Sequence, residues 1–502
     1  MLFAAPLLLF LLACVLYPML VLLVRGVNLA LNVFMLERLI VTLTQALLSS
    51  GIILLLALVF GSLLGRYTFR GKAWLEALLG VPFVVPILVA ALGFLSLFGA
   101  RGWIYKLEGT LWLVLLANIF YNLGLAIRLV INSLATQSLE LEWVARLEGA
   151  NAWQVWRFVT LPTALPSALI GAGLAFLYTF ASFGIPLLLG GSGFATLEVE
   201  MYQSVQRLEL ENASGLALLQ LLFTLSAAWL VTGFERRSSQ AQEFDSFRPT
   251  ATGWTRVGLW LVVGFLGLLT LMPLLAVALK SVLNADGFTL IHYQNLFETS
   301  SRIFSSNLGA ALWNNLRFAV LALLVAVPLG VSYALGVWRS QNRILDTLSL
   351  LPLSVSSTVL GVAFIVAYPR LVASLPLLIA VYALSAYPLI TRAMLSALRR
   401  IEPSLLEATS LDGANTWQQF RYIILPLTEH ALRSGVALGF AVVIGEFAAS
   451  LMLSRPEWAT LTTMIYQRLS RPNQMGEASA LAMILLGLSL AGFLLIGSRG
   501  KR

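Results

Sequence analysis

The chain has 502 residues, of which 59% are hydrophobic and only 11% charged, so no water-soluble fold of this size could cover its surface with polar groups. The net charge of +9 does not suggest nucleic acid, because the Lys and Arg residues are scattered between apolar runs and form no basic stripe. One cysteine, Cys14, excludes a disulfide framework and a thiolate cluster, and two histidines, His292 and His430, are too few for a histidine metal site.

About 20 apolar residues cross the hydrocarbon core as a helix, and twelve segments meet that criterion. They lie near 2 to 24, 42 to 65, 76 to 99, 111 to 133, 164 to 189, 213 to 233, 257 to 282, 310 to 337, 346 to 369, 374 to 397, 429 to 453 and 478 to 497. The run Leu2 to Val24 is too long for a signal-peptide core and has no basic region before it, so it reads as a retained first span. The proline-containing third and ninth spans are expected to be broken or tilted. If the N-terminus is cytoplasmic, Arg66, Arg70, Lys72, Arg236, Arg237, Arg248, Arg256, Arg339, Arg343 and the tail Arg499, Lys501 and Arg502 all fall inside. That is the positive-inside pattern, and it places both termini in the cytoplasm. The outer connections hold carboxylates, among them Glu198, Glu200, Glu209 and Glu211.

The chain repeats itself at a fixed offset of 264 residues. Gly149-Ala-Asn-Ala-Trp-Gln-Val-Trp-Arg-Phe-Val-Thr-Leu-Pro162 sits over Gly413-Ala-Asn-Thr-Trp-Gln-Gln-Phe-Arg-Tyr-Ile-Ile-Leu-Pro426 with 8 identities in 14 positions. The same offset pairs Arg128 with Arg392, Phe183 with Phe447, Thr196-Leu197 with Thr460-Leu461, and Tyr202-Gln203 with Tyr466-Gln467. Six spans per repeat is an even number, so both copies enter the membrane from the same side. The expectation is an all-α polytopic membrane protein of about twelve transmembrane helices, arranged as two parallel six-helix repeats with a substrate path between them. The first half covers 1 to 233 with a loop at about 140 to 162, and the second covers 257 to 502 with a loop at about 402 to 426. Residues 234 to 256, rich in Ser, Gln, Thr, Pro and mixed charge, read as a cytoplasmic linker.

The best-matched part of the repeat is polar and cytoplasmic, whereas lipid-facing spans keep only their hydrophobicity. In the second copy Glu407-Ala-Thr-Ser-Leu-Asp-Gly413 offers helix formers followed by a glycine that can end the helix. Ala414-Asn415 and a second helical stretch closed by Leu425-Pro426 complete a helix, turn, helix unit.

These residues resemble the permeases of binding-protein-dependent ABC importers, whose pattern is Glu-Ala-Ala, three residues, Gly, nine residues, Ile-x-Leu-Pro. Glu407, Ala408, Gly413, Ile423, Leu425 and Pro426 fall on it, with Thr409 in the second alanine slot. The first copy keeps Ala145, Gly149, Ala150, Val159, Leu161 and Pro162, but Trp143 and Val144 replace Glu-Ala and Glu142 lies one residue early. The resemblance implies a type I ABC importer permease fold, with each loop helix seated in a cleft of one ATPase subunit. ATP-driven closure of the ATPase dimer then becomes a rigid-body movement of the two halves, an alternating-access cycle. The ATPase-coupling residues it implies are Glu142, Ala145, Gly149, Ala150, Leu161 and Pro162 in the first loop, and Glu407, Ala408, Gly413, Ala414, Leu425 and Pro426 in the second. The C-terminal loop, closer to the pattern, is expected to be the more sensitive coupling point.

The chain has no GxxxxGK[ST] sequence to cradle phosphates, so it is expected to be a transport subunit rather than an enzyme, without a cofactor of its own. The implied partners are two copies of a cytoplasmic ABC ATPase that uses the ATP, a periplasmic or lipoprotein substrate-binding protein, a small-molecule substrate and membrane lipid. Over nearly its whole length the chain resembles the fused permeases for thiamine and for ferric iron. Pro86-Ile-Leu-Val-Ala with Gly99-Ala-Arg-Gly-Trp103, Asn118-Ile-Phe-Tyr-Asn122, and Phe180-Ala-Ser-Phe183 with Gly190-Gly191 are of the thiamine type. Gly184-Ile-Pro-Leu-Leu-Leu and Gly445-Glu-Phe-Ala also suit the iron type.

Glu446 falls inside the eleventh span, and an intramembrane carboxylate is costly enough to be a functional candidate. It could line the pathway and meet a cationic ligand, or clamp two helices at the interface between halves. Its repeat mate is Ser182, so a charge there would be asymmetric. Arg128 and Arg392, near span ends, are expected to snorkel. A proton-coupled secondary transporter shares the twelve-span architecture, and Gly65-Arg-Tyr-Thr-Phe-Arg-Gly-Lys72 is similar to its basic loop. The aspartate expected there is missing, and the spans hold few paired acids for a proton relay. No constellation of Ser/His/Asp, metal ligands or paired carboxylates supports a membrane-embedded enzyme.

Overall fold

A computed structural model describes residues 5–26, 33–135, 140–191, 193–238, 249–284, 287–298, 307–348, 355–372, 374–453, 455–471 and 473–497. In the first half the helices are α1 (Ala5–Arg25), α2 (Val33–Arg66), α3 (Lys72–Leu78), α4 (Ile87–Phe98), α5 (Leu111–Ala135), α6 (Glu140–Leu147), α7 (Ala152–Phe180), α8 (Gly184–Leu189), α9 (Leu197–Gln206) and α10 (Leu210–Ser238). The second half holds α11 (Gly253–Val282), a short antiparallel pair β1 (Leu283–Asn284) and β2 (Gly287–Phe288), α12 (Ile291–Glu298), α13 (Leu308–Ser340), α14 (Arg343–Leu348) and α15 (Ser357–Ala367). It continues with α16 (Leu375–Leu398), α17 (Pro403–Leu411), α18 (Thr416–Ile444), α19 (Ala448–Leu453), α20 (Leu461–Leu469) and α21 (Met475–Gly497).

Among the described residues ten helices are long and apolar enough to cross a membrane, and an eleventh crossing is a bent pair. That pair, Lys72–Phe83 with Ile87–Phe98, turns by 100°. The cause is local: Pro82 and Pro86 withhold backbone N–H donors and their rings crowd the preceding turn, so the third span breaks where sequence placed two prolines. The ninth expected span, 346 to 369, is described only in part. Its residues 349–354 lie outside the described residues, and the helix beyond them, the apolar α15, is only 11 residues long.

The first span of each half leaves its own repeat and packs on the other. Helix α1 lies between α10 of its own half and α15 of the second, with the Tyr368 hydroxyl donating to the Ala13 carbonyl at 2.7 Å. Reciprocally, α11 lies between α21 and α4 of the first half. Contact there is close: a Cβ on Gly93 would come within 2.3 Å of the Pro273 carbonyl oxygen. A side chain at residue 93 must push two backbones apart. Gly93→Val is therefore expected to cost about 3 kcal/mol through overpacking, read as a lower melting temperature and a smaller monodisperse fraction in detergent.

The spans α2, α5 and α7 form one packed group around Ile53, Leu64, Leu123 and Val130, and α13, α16 and α18 form the matching group in the second half. Thr68 N–H donates to the Pro249 carbonyl at 3.1 Å and so pins the end of the segment between the halves. Residues 239–248 of the expected linker lie outside the described residues.

Candidate coupling loops and translocation interface

Both matched loops are the same device. In the first, α6 ends at Gly149, whose φ of +88° is left-handed, and Ala150 N–H donates to Ala145 O while Gly149 N–H donates to Arg146 O. In the second, α17 ends at Gly413 with φ of +83°, and Ala414 and Gly413 donate to Thr409 O and Ser410 O. This double bond pattern satisfies the last carbonyls of a helix and calls for a residue without a Cβ at the left-handed position. The next residue but one starts a new helix. Asn151 Oδ1 accepts from Gln154 N–H at 2.9 Å and Gln154 Oε1 accepts from Asn151 N–H at 2.8 Å. Asn415 and Gln418 repeat both bonds at the same distances.

The Leu-Pro pairs leave a matched signature as well. A prolyl ring clashes with the carbonyl four residues earlier, and the helix widens to absorb it. Leu161 N–H bonds Trp156 O and Leu425 N–H bonds Phe420 O, each across five residues, in π-turns at Trp156–Thr160 and Phe420–Ile424. Pro162 and Pro426 thus fix the joint between loop and span.

The two acids of the loops face opposite ways. Glu407 is exposed on α17, whereas Glu142 is buried, 2.5 Å from an Arg66 guanidinium nitrogen and accepting a 3.0 Å bond from the Thr160 hydroxyl. A shift of one residue along an α-helix rotates a side chain by about 100°, which carries the earlier glutamate from the solvent face to the packed face. At the positions that match Arg66, Glu142 and Thr160 the second half has Gly330, Leu406 and Ile424, an apolar set. Ala145 and Ala414 are half-buried and Ala408 is exposed. Sequence reasoning missed the large apolar side chains these loops expose: Leu147 with Leu411, Trp153 with Trp417, and Phe158 with Tyr422, each pair at the repeat offset. Bulky apolar residues at equal positions in two polar loops were a signal available in the sequence.

Between the halves, Phe183 and Phe447 stack with ring centroids 5.7 Å apart. Tyr202 lies edge-on to Phe183 at 5.6 Å, and Tyr466 leans on Phe447 at 5.5 Å. Glu446, next to this cluster, accepts from Ser357 Oγ at 3.3 Å and from Ala449 N–H at 3.2 Å. These bonds tie it to α15 and to the start of α19, both in its own half, and it remains half-buried, as does Ser182. Glu198 and Glu200, between the expected fifth and sixth spans, are buried on α9. Gln220 Nε2 donates to Glu198 at 3.1 Å, and Glu200 is held between Arg38 at 3.1 Å and Arg207 at 2.7 Å. Short polar stretches between apolar runs look solvated in sequence, and the distant arginine that makes burial tolerable is not visible there. Arg128 and Arg392 turn to protein rather than to solvent: Arg128 donates to the Glu76 carbonyl at 2.7 Å and Arg392 pairs with Asp346 at 3.0 Å. Among the described residues no group of three or more His, Cys, Asp or Glu is placed to hold a metal ion.

A sequence profile described as binding-protein-dependent transport system inner membrane component matches residues 57–240 and again 326–499. The chain belongs to this family. It is a multi-pass inner-membrane permease, built as two copies of the family domain, and membership implies a substrate-binding protein and an ABC ATPase as partners. The permease is similar to the thiamine transport system permease proteins of Haemophilus influenzae, 26% identical over 88% of this chain and 85% of the relative, and of Escherichia coli, 27% identical over the same shares. It is also similar to a putative ferric transport system permease protein of Haemophilus influenzae, 23% identical over 84% of this chain and 71% of the relative.

Proposed function

We propose that this permease carries thiamine across the inner membrane by alternating access, driven by two copies of a separate cytoplasmic ABC ATPase. The observation that carries the coupling role is the pair of matching loops, each a glycine-ended helix, a capped second helix and a π-turn, with Leu147, Trp153, Phe158 and their mates Leu411, Trp417 and Tyr422 exposed. Exposed apolar side chains in a polar loop mark a protein contact, and two equal contacts suit two identical ATPase subunits. Glu407, Ala408 and Gly413 with Ala414, Leu425 and Pro426 act in the second loop. In the first, Gly149, Ala150, Leu161 and Pro162 keep the same frame, and Glu142 and Ala145 hold it to the membrane domain. ATP is bound by the partner, and this chain needs no cofactor of its own. Both termini lie in the cytoplasm, as the basic residues near 66 to 72 and 339 to 343 ask.

Thiamine is favoured over ferric iron because the thiamine relatives are matched over a larger share of their own length, 85% against 71%. A periplasmic binding protein selects the ligand and delivers it to the outer face. The test is ATP hydrolysis by the purified complex in nanodiscs with its binding protein. Thiamine is expected to stimulate hydrolysis severalfold and ferric iron not at all. Stimulation by iron alone would reverse the substrate assignment. A chain that co-purifies with no ATPase, and whose transport survives ATP depletion but not loss of the proton gradient, would remove the importer reading.

A further inference from the structure

The four rings at the centre of the molecule come in two repeat-related pairs, Phe183 with Phe447 and Tyr202 with Tyr466. Each half contributes one phenylalanine and one tyrosine. The two phenylalanines stack across the interface at 5.7 Å, with planes 28° apart. Each then carries its own tyrosine at 5.5 to 5.6 Å, and the two tyrosines are neighbours. Contacts of this kind across a pseudo-twofold axis can only be broken by moving the halves apart. Phe183 and Phe447 are 5% and 4% exposed, so as they stand they leave no passage.

What the rings present on separation is specific. Two phenylalanine faces and two phenol faces bear negative quadrupoles, and in a desolvated site such faces attract a flat cation. The nearest formal charge agrees in sign. Glu446 precedes Phe447 in the chain, and its oxygens accept from the Ser357 hydroxyl and the Ala449 amide, with the Phe447 and Ala448 amides also turned toward them. None of these groups carries a positive charge, so they solvate the carboxylate without neutralising it. A second carboxylate, Glu198, is fully buried beside Ser356 and Thr358, on the same first turn of α15 that Ser357 belongs to. Two acids, one from each half, therefore meet one helix end next to the aromatic cluster. No lysine or arginine pairs with Glu446 or Glu198 among the described residues.

The geometry points to Phe183, Tyr202, Phe447 and Tyr466 as the gate of the translocation pathway and, once parted, as the aromatic faces that take a planar organic cation, with Glu446 as its counter-charge. This rests on the importer reading above and adds to it a place and a chemistry of selection inside the membrane domain. A hydrated trivalent metal ion has no flat face to stack, so the same cluster disfavours it.

Two pairs of variants in proteoliposomes, reconstituted with the ATPase and the binding protein, test the two parts. For the gate, vesicles are loaded with radiolabelled thiamine and left without ATP. Phe183→Ala with Phe447→Ala is expected to raise efflux at least tenfold over the parent, and efflux equal to the parent overturns the gate. For the cation faces, Phe183→Leu with Phe447→Leu keeps apolar bulk but removes both rings, whereas Phe183→Tyr with Phe447→Tyr keeps them. ATP-driven thiamine uptake is expected to fall about tenfold in the leucine pair, the loss of roughly 1.4 kcal/mol of cation–ring attraction, and to stay within about twofold in the tyrosine pair. Equal uptake by both pairs overturns the recognition role. Co-purification with the ATPase reports folding of each variant. If parent vesicles show thiamine-stimulated hydrolysis and the variants behave alike, only this inference fails; if the parent shows none, the importer reading fails instead.

Discussion

Gly413→Val is expected to leave the permease in the membrane and to lower ATP-driven uptake at least tenfold. Nothing lies within 4 Å of a Cβ built on Gly413, so space is not the issue. The backbone is: at φ of +83° a β-branched residue is a genuine outlier, and the left-handed conformation costs about 1–2 kcal/mol for an ordinary residue. Relaxing that strain breaks the bonds from Gly413 and Ala414 to Ser410 O and Thr409 O, and α17 then loses its fixed angle to α18. A loop that no longer holds its angle transmits less of the ATPase motion, so hydrolysis should continue with little transport. Asparagine tolerates the left-handed region best among residues with side chains, and Gly413→Asn should retain most uptake. Gly149→Val should be milder than Gly413→Val, because α6 is also tied down through Glu142. Equal loss in both loops, measured as uptake per ATP hydrolysed, would show that the tie makes no difference.

That tie carries the second large effect. Arg66 and Glu142 are 12% and 10% exposed at their side chains, so removing one leaves the other charged and largely buried. Breaking such a pair costs about 3–5 kcal/mol, and Glu142→Leu alone is expected to show a cost near the lower end of that range in thermal melts of the detergent-solubilised protein. The second half shows what the site looks like without charge: Gly330, Leu406 and Ile424. The triple change Arg66→Gly, Glu142→Leu, Thr160→Ile copies that set into the first half and should recover most of the lost stability, because no charge is then left unpaired. A triple variant as unstable as Glu142→Leu would mean that the ion pair itself, and not the avoidance of an orphaned charge, supports the loop.

The parts legible in the sequence were those whose cause is local. Long apolar runs announce spans, two nearby prolines announce a break, and Gly-Ala-Asn-x-Trp-Gln announces a helix stop followed by a capped start, since every bond involved spans at most five residues. The offset of 264 residues made the pairing of Phe183 with Phe447 visible as sequence, but not as a stack. What stayed hidden depends on distant partners. The burial of Glu200 was not visible, because Arg38, on α2, gives no local sign of reaching it. Glu142 read as a misplaced copy of Glu407, when one residue of helical rotation had turned it toward Arg66.

The exchanged first spans set the order in which this chain can be completed. Helix α1 is made well before α15, one of the surfaces it settles on, which follows only after the rest of the first repeat and two further spans have left the ribosome. Until then the face it turns to α15 is covered by lipid alone. A polypeptide released before residue 357 would hold both of its exchange helices half-docked, with α1 lacking α15 and α11 lacking α21. Neither half is therefore finished without the other, since each lends its first helix to its partner.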